Sequence, residues 1–465
     1  MKKIFLSVST VLCLISGTIN AQFTILHNFD NTDGGEPESP TLLLGSKLYG
    51  TTIEGGTNNT GCIYSIDTNG NGFKVLYNFP AANFGGGYSN LSYASGKFYG
   101  ITQGGANDSG IVYSIDSSGA NFKDIFNFNG TDGTANGRVQ FAISGYKLYG
   151  ITSDGGAYHY GTIFSLDTNG GGFKDMHDFN YTEGSHPFGP LYLVGTKLFG
   201  MACYGGPDNA GCIFSIDSSG ARYRDLHNFN DTNGREPVGP LTFVGGTMYG
   251  SAGFGGLYDY GVIFSMDTSG SRFTNLFNFN GLDGWSPLCN FAISGNVMYG
   301  IVEFGGANND GCLFSIDTNG ASFTDLFDFN GTNGEQPHDY LLLAGKTLYG
   351  TTTEGGFFGY GEVFKFKDTA ITQITTSIND LKGSGENMNV YPNPFSNSTT
   401  ISINNPQTTN HYLELDDITG RTLKQIKFTG NEYILSAEGF AKGMYFVRIT
   451  DKNNIIIGTS KIVVQ

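Results

Sequence analysis

The chain has 465 residues, 41 acidic against 25 basic, for a formal net charge of −16. Acidity on this scale opposes binding to nucleic acid or to anionic membranes. Gly supplies 71 residues and aromatics 14% of the chain, a composition of turn-rich β structure rather than of disorder.

Residues 1–21 read as an export signal: Lys2 and Lys3, a largely apolar run from Ile4 to Ile15, then small residues ending at Ala21. The run is too short to span a membrane, so cleavage is expected between Ala21 and Gln22. No later stretch approaches spanning length. Without Lys2 and Lys3 the balance is 23 basic to 41 acidic, or −18.

A repeat of about 50 residues follows, with a Leu/Phe/Met–Tyr/Phe–Gly triplet ending at Gly50, Gly100, Gly150, Gly200, Gly250, Gly300 and Gly350. A unit this short cannot bury its own core and must stack on its copies. In the fourth copy, strands are predicted over Pro190–Val194, Lys197–Ala202, Cys212–Asp217 and Tyr223–Phe229, joined by Gly, Asn and Ser turns. The third strand is apolar on both faces, Ile213 on one and Phe214 with Ile216 on the other, as in a sheet sandwiched between neighbours. Phe23–Phe29 is a fourth-strand copy with nothing before it, and the last copy stops after its third strand near Phe366. Joined, the two ends complete seven blades. The expected fold is therefore all-β: a seven-bladed β-propeller over 22–368 whose N-terminal strand closes the last blade.

These units resemble the GloVer-type tandem repeat of exported bacterial proteins, through Lys47-Leu48-Tyr49-Gly50-Thr51-Thr52, Gly55-Gly56, Gly61 and Ile63-Tyr64-Ser65-Ile66-Asp67. That resemblance implies no particular activity. The Gly-Gly pair is also similar to kelch repeats, but a single Trp leaves the kelch aromatic signature missing.

Residues 369–385 are polar and rich in Thr, Ser and Gly, a linker composition; Asp368-Thr369-Ala370 at its start resembles a bacterial O-glycosylation site. From 386 to 465 a small β-sandwich is expected, with Tyr391-Pro392-Asn393-Pro394, Leu413–Asp417 running into Thr419-Gly420-Arg421, Gly443-Met444-Tyr445 and a last strand at Lys461. These landmarks resemble the sorting domain of type IX secretion cargo. The resemblance implies passage through the periplasm to the outer surface or beyond, with the tail then removed and the cargo released or attached to lipopolysaccharide.

Candidate chemistry is sparse. Ser-x-Asp-x-x-Gly-x-x-Phe/Tyr recurs from Ser65, Ser114, Ser165, Ser215, Ser265 and Ser315. It is similar to the Asp-box of sialidases, but the arginines a sialidase needs do not converge, and the segment reads as a turn. Loops such as Asp30–Gly34, Asn230–Gly234 and Asn330–Gly334 could hold calcium at the blade junctions, yet lack the closing Glu of a calcium motif and read first as turns. His27, His177 and His227 share a slot with Tyr77, Phe126, Phe277 and Phe327, which marks them as packing residues. No His or Cys has zinc spacing, and no catalytic residue is assigned. Cys62, Cys212 and Cys312 share one repeat position and read as small hydrophobes; Cys203 and Cys212 flank one hairpin and could pair after export.

The loops after the Gly-Gly pairs, and the residue leading into each pair, carry aromatics: Tyr158, His159 and Tyr160; Tyr204; Phe254, Tyr258 and Tyr260; Phe304; and Phe357, Phe358 and Tyr360. Trp285, Tyr340 and His186 are expected on the same face. Aromatic rings beside carboxylates suit sugars, so the expected role is binding of an extracellular polysaccharide. Packing between blades is the rival account of Tyr160, Tyr260 and Tyr360. A surface adhesion role through protein contacts is the alternative function. A hydrolase or lyase would need Glu54, Asp154, Glu303 and Glu354 to converge at the channel mouth.

Overall fold

The computed structural model describes residues 22–80, 84–85, 90–135, 139–288, 290–338, 340–368, 388–391, 393, 395–403, 410–417, 422–440, 443–450 and 456–464. Ala21, Cys289, Pro392, Pro394 and the expected linker lie outside them. The described residues are all β and turn, with no helix, and divide into two compact units, 22–368 and 388–464. No helix among them is long and apolar enough to cross a membrane.

In the repeat unit the strands form seven antiparallel sheets in chain order. The fourth sheet is representative: Tyr192–Val194, Lys197–Ala202, Cys212–Asp217 and Arg224–Asn228. The expected outer strands are trimmed by one or two residues. Gln22–Asn28 is the fourth strand of the seventh sheet, pairing antiparallel with Glu362–Lys367. Each fourth strand slips register by one residue against its third, for example between Ile213 and Phe214. Such a bulge bends a short outer strand and blunts an edge otherwise open to further pairing.

Both faces of each sheet are buried, as the third strand's composition requires. Phe214 and Ile216 belong to the core shared with Phe164 and Leu166 of the third sheet, whereas Ile213 belongs to the core shared with Phe264 and Met266 of the fifth. Tyr64 and Ile66 of the first sheet share a core with Tyr349 and Val363 of the seventh. Gly200 lies directly opposite Phe214 in the ladder. A Cβ on it would meet Phe214 Cζ at 2.6 Å, which is why the triplet ends in glycine.

Near each sheet's outer edge a ring on the fourth strand stacks on the ring just before the fourth strand of the next sheet. His27 lies on Phe73, Tyr77 on Phe122, Phe126 on Phe173, His177 on Tyr223, His227 on Phe273 and Phe277 on Phe323. Centroids are 3.6–4.5 Å apart. Phe327 returns the series to Phe23 at 4.1 Å. The three histidines are thus packing residues, as their shared slot implies, and burial lowers His227 to about 4. At the third-to-fourth turn the Asp of the Asp-box-like segment holds the start of the second strand, Lys47–Asp67 at 2.8 Å and Lys147–Asp167 at 2.9 Å. That is a structural use, in keeping with the turn reading.

In the second unit, Met388–Tyr391, Ser398–Ile403 and Glu432–Ser436 form one sheet, and Thr422–Thr429, Asn410–Asp417, Gly443–Thr450 and Ile456–Val464 another. They enclose one core that includes Ile401, Leu435, Leu413, Val447 and Ile462. Tyr445 is buried in it and packs on Phe440, whereas Tyr391 is exposed. Asn393 accepts the Val463 N–H at 2.8 Å, and Phe395 donates to the Val463 carbonyl at 2.9 Å, so the Tyr-Pro-Asn-Pro landmark grips the last strand. The backbone of Lys461 pairs with Phe446, and Gly443 with Val464.

Candidate functional site

At one end of the repeat unit, the residue leaving each between-sheet loop pairs with the residue just before the Gly-Gly pair. The pairs are Gly35 with Glu54, Thr134 with Asp154, Ser185 with Tyr204, Arg235 with Phe254, Trp285 with Phe304, and Glu335 with Glu354. In the second sheet Phe84 faces Gly104. Side chains directly opposite in an antiparallel pair lie on one face within reach of each other, so sheets three to seven each present a side-chain pair at this end.

Sheets three to six carry aromatic contacts. Tyr160 lies 5.2 Å from Tyr181 and 6.0 Å from His186, and His186 lies 5.9 Å from Tyr204. The Arg235 guanidinium sits 5.3 Å from the Phe254 centroid, a cation–π contact. Trp285 stacks on Phe304 at 4.4 Å. Polar groups frame these rings: His186 Nε2 is 3.4 Å from Asp154, and Glu303 accepts a hydrogen bond from Ser286 Oγ at 3.3 Å with His338 Nε2 3.9 Å away. The Tyr204 phenol is pushed up to about 12 by the adjacent Cys203, by burial and by Glu236, so it stays protonated.

Sheets seven and one bring carboxyls close together at this end. Burial, then the charges of Glu54 and Glu354, raise Glu36; burial, then Asp310 and Glu354, raise Glu335. Of the four carboxylates an enzyme would need together, Glu54 and Glu354 thus both act on Glu36. Asp154 and Glu303 sit on other sheets beside their own histidines.

On five of the sheets the residue after the paired position adopts a left-handed backbone: Glu36 at φ 49°, His186 at 50°, Glu236 at 55°, Ser286 at 58° and Gln336 at 52°. Such conformations persist only where the surroundings enforce them. Here the N–H of each donates to the preceding sheet's loop, Glu36 to Tyr360, His186 to Tyr160 and Ser286 to Tyr260, at 2.9–3.3 Å. The three tyrosines therefore tie sheet to sheet through their carbonyls, while their rings rest on the next loop, Tyr260 on Gly281 and Tyr360 on Gly35. Tyr260 and Tyr360 stay about 40% exposed, so packing and display coexist. Tyr158, Tyr258, Phe357 and Phe358 are exposed at the loop tips.

Asn90, Pro190, Pro240 and Tyr340 meet around a narrow gap. Neighbouring first strands are clamped by side chains, Gln140 Nε2 to Leu91 O at 3.2 Å and Leu341 N to Asn290 Oδ1 at 2.8 Å. In the loops considered for calcium, Asp30 Oδ1 accepts from the backbone of Thr32 and Asp33 and from the Thr32 hydroxyl; Asn230 and Asn330 do the same for residues 232–233 and 332–333. Among the described residues no group of three or more His, Cys, Asp or Glu is arranged to hold a metal. Cys203 and Cys212 are both buried free thiols, not a disulfide.

Arg235, Ser286, His338, Glu36 and Glu335 were missing from the residues singled out by sequence. The repeat register was the available signal: Arg235 and Glu335 occupy the position of Trp285 in adjacent copies.

The chain belongs to the Gloeobacter/Verrucomicrobia repeat family, whose model matches residues 14–146, 103–303 and 243–394. Residues 389–465 match the secretion system C-terminal sorting domain. The protein is accordingly exported by type IX secretion to the cell surface or the extracellular space. An endo-acting ulvan lyase of Formosa agariphila is 33% identical over 91 residues, 19% of this chain and only 17% of that enzyme's length. The extracellular domain ascribed to a one-component system of B. thetaiotaomicron overlays 96% of this chain and 59% of that one, at 11% identity and a TM-score of 0.48. The β-propeller domain of the Trilobed protease from Pyrococcus furiosus overlays 72% of this chain and 96% of that domain, at 10% identity and a TM-score of 0.41.

Proposed function

We propose that the repeat unit is a closed seven-bladed β-propeller whose loop end binds an extracellular glycan. Closure is supported by the pairing of Gln22–Asn28 with Glu362–Lys367 and by the shared core of the first and seventh sheets. The observation that carries the glycan reading is the run Tyr160, Tyr204, Phe254 and Phe304 with Trp285, five aromatic residues on four consecutive sheets at one end of the repeat unit. Rings accept the apolar C–H faces of sugars, and flanking carboxylates such as Asp154 and Glu303 accept hydroxyl hydrogens. The hydrogen bonds between neighbouring loops make the surface preorganised, which lowers the entropic cost of binding. Lipopolysaccharide attachment after loss of the tail is part of the same proposal for a surface-held form.

The test is a polysaccharide array probed with the secreted protein and with Tyr204→Ala and Phe304→Ala variants of unchanged thermal stability. Binding by the unaltered protein that both variants lose supports the reading, and an array blank for all three proteins sinks it.

A second reading, adhesion through protein contacts, draws on the exposed apolar tips, where Leu257 and Phe357 are 72% and 81% exposed. In that case leucine and phenylalanine substitutions at the tips, not in the ring positions, would control attachment to cells. A carbohydrate-active hydrolase or lyase ranks third and would place Glu36 beside Glu54 as its proton-transfer pair.

A further inference from the structure

Charge narrows the ligand class, and this step rests on the glycan reading above. Among the described residues of the loops at this end, Arg235 is the only arginine or lysine, and its guanidinium is already engaged by Asp259 at 3.1 Å and Asp231 at 3.5 Å. All seven sheets contribute carboxylates to these loops, among them Glu54, Asp108, Asp154, Asp259, Glu303 and Glu354. A sulfate or uronate on a bound chain needs a charge-assisted partner, most often a bidentate Arg. Among the described residues no such cation is left over, and the surrounding field repels a polyanion before contact.

Cationic chains fit no better on the aromatic side. There Asp154, Glu303 and Asp259 have partners of their own, His186, Ser286 with His338, and Arg235. The acidic group of Glu36, Glu54, Glu335 and Glu354 belongs to sheets one and seven, whereas the aromatic run belongs to sheets three to six. What the aromatic side offers is therefore ring faces and carboxylate acceptors that already have a contact of their own. We infer that the loop end takes an uncharged polysaccharide, laid across successive sheets, and discriminates against sulfated, uronate and amino-bearing chains.

The experiment is affinity electrophoresis of the full secreted protein in gels containing a neutral β-glucan, a galactomannan, alginate, ulvan or chitosan, each at about 0.05 and about 0.5 M salt. The expected result is retardation by a neutral polymer at least about tenfold stronger than by any charged one, and unchanged between the two salt concentrations. Phe254→Ala and Phe304→Ala should each weaken it about three- to tenfold. Tighter retardation by alginate, ulvan or chitosan would overturn the charge inference and leave glycan binding standing. Retardation by none of the five would overturn the glycan reading and this inference with it. The salt comparison uses the unaltered protein, so it holds whether or not the variants fold.

Discussion

Phe23 lies flat against Phe327, ring centroids 4.1 Å apart and planes 6° apart, although the two come from opposite ends of the repeat region. Phe277 and Phe323 make the same contact in mid-chain, at 4.4 Å and 5°. If the first strand is a full member of the seventh sheet in solution, the two contacts are equivalent in energy as well as in geometry. Phe23→Ala and Phe323→Ala should then destabilise alike, each by about 2 kcal/mol, since both rings are half-buried and lose part of a full Phe→Ala effect. Thermal unfolding of the two variants decides it. A Phe323→Ala protein that melts early beside a Phe23→Ala protein that melts like the parent would mean the ends are not joined.

Gly200 faces Phe214 across the ladder, and its missing Cβ is the space that Phe214 Cζ and Leu191 Cδ2 occupy. Gly200→Ala should cost about 1–3 kcal/mol through overpacking. Phe214→Leu in the same chain should recover part of that loss, although by itself it destabilises. A double-mutant cycle measures the coupling; strict additivity would show that the glycine is there for backbone reasons instead.

The 50-residue period carried most of the architecture, because it marks which positions are equivalent and where a strand is missing. It placed Phe23–Phe29 as an orphan fourth strand without any knowledge of Phe327. What it could not supply is which side chain of one sheet touches which of the next. Arg235 over Phe254 and Trp285 over Phe304 depend on a bridge between a loop and a strand end, set by the left-handed turn at the following residue. Glu303 beside Ser286 and His338 likewise joins residues of three different chain segments. Aromatic loop content was legible, and the side-chain contacts that join these rings on sheets three to six were not.

Glu362 occupies the repeat position of Cys62, Cys212, Val262 and Cys312, fully buried, with neither carboxyl oxygen hydrogen-bonded. Its backbone pairs with Asn28, at the seam between the two chain ends. Burial pushes its carboxyl up to about 8 from the usual 4.5. The folded state therefore keeps a proton that the unfolded state gives up near 4.5. Between these values the unfolded chain binds fewer protons, so stability falls as pH rises and levels off above about 8. Glu362→Val, the residue of the fifth copy, should remove that fall and raise stability at neutral pH by about 1–3 kcal/mol. Melting temperatures of parent and variant from pH 5 to 9 test this, because every other titration is common to both. A gap that stays constant with pH would show that the carboxyl ionises normally where it lies.

Asn393 and Phe395 hold the last strand of the sorting domain from both sides of Val463, one accepting its N–H and the other donating to its carbonyl. The landmark at 391–394 therefore has a structural task, and export should depend on the assembled tail rather than on the tetrapeptide alone. Asn393→Ala removes one acceptor at an exposed position, with an expected loss of about 1 kcal/mol in the tail. Asn393→Asp keeps the acceptor. If recognition requires the joined strand, the secreted fraction, measured by immunoblot of medium, cell surface and periplasm, should drop for Ala and hold for Asp. Equal export of both variants would mean that the clamp is dispensable and that the machinery reads another surface of the tail. Retention of both in the periplasm would instead point to direct reading of the Asn393 amide nitrogen, since that is what Asp lacks.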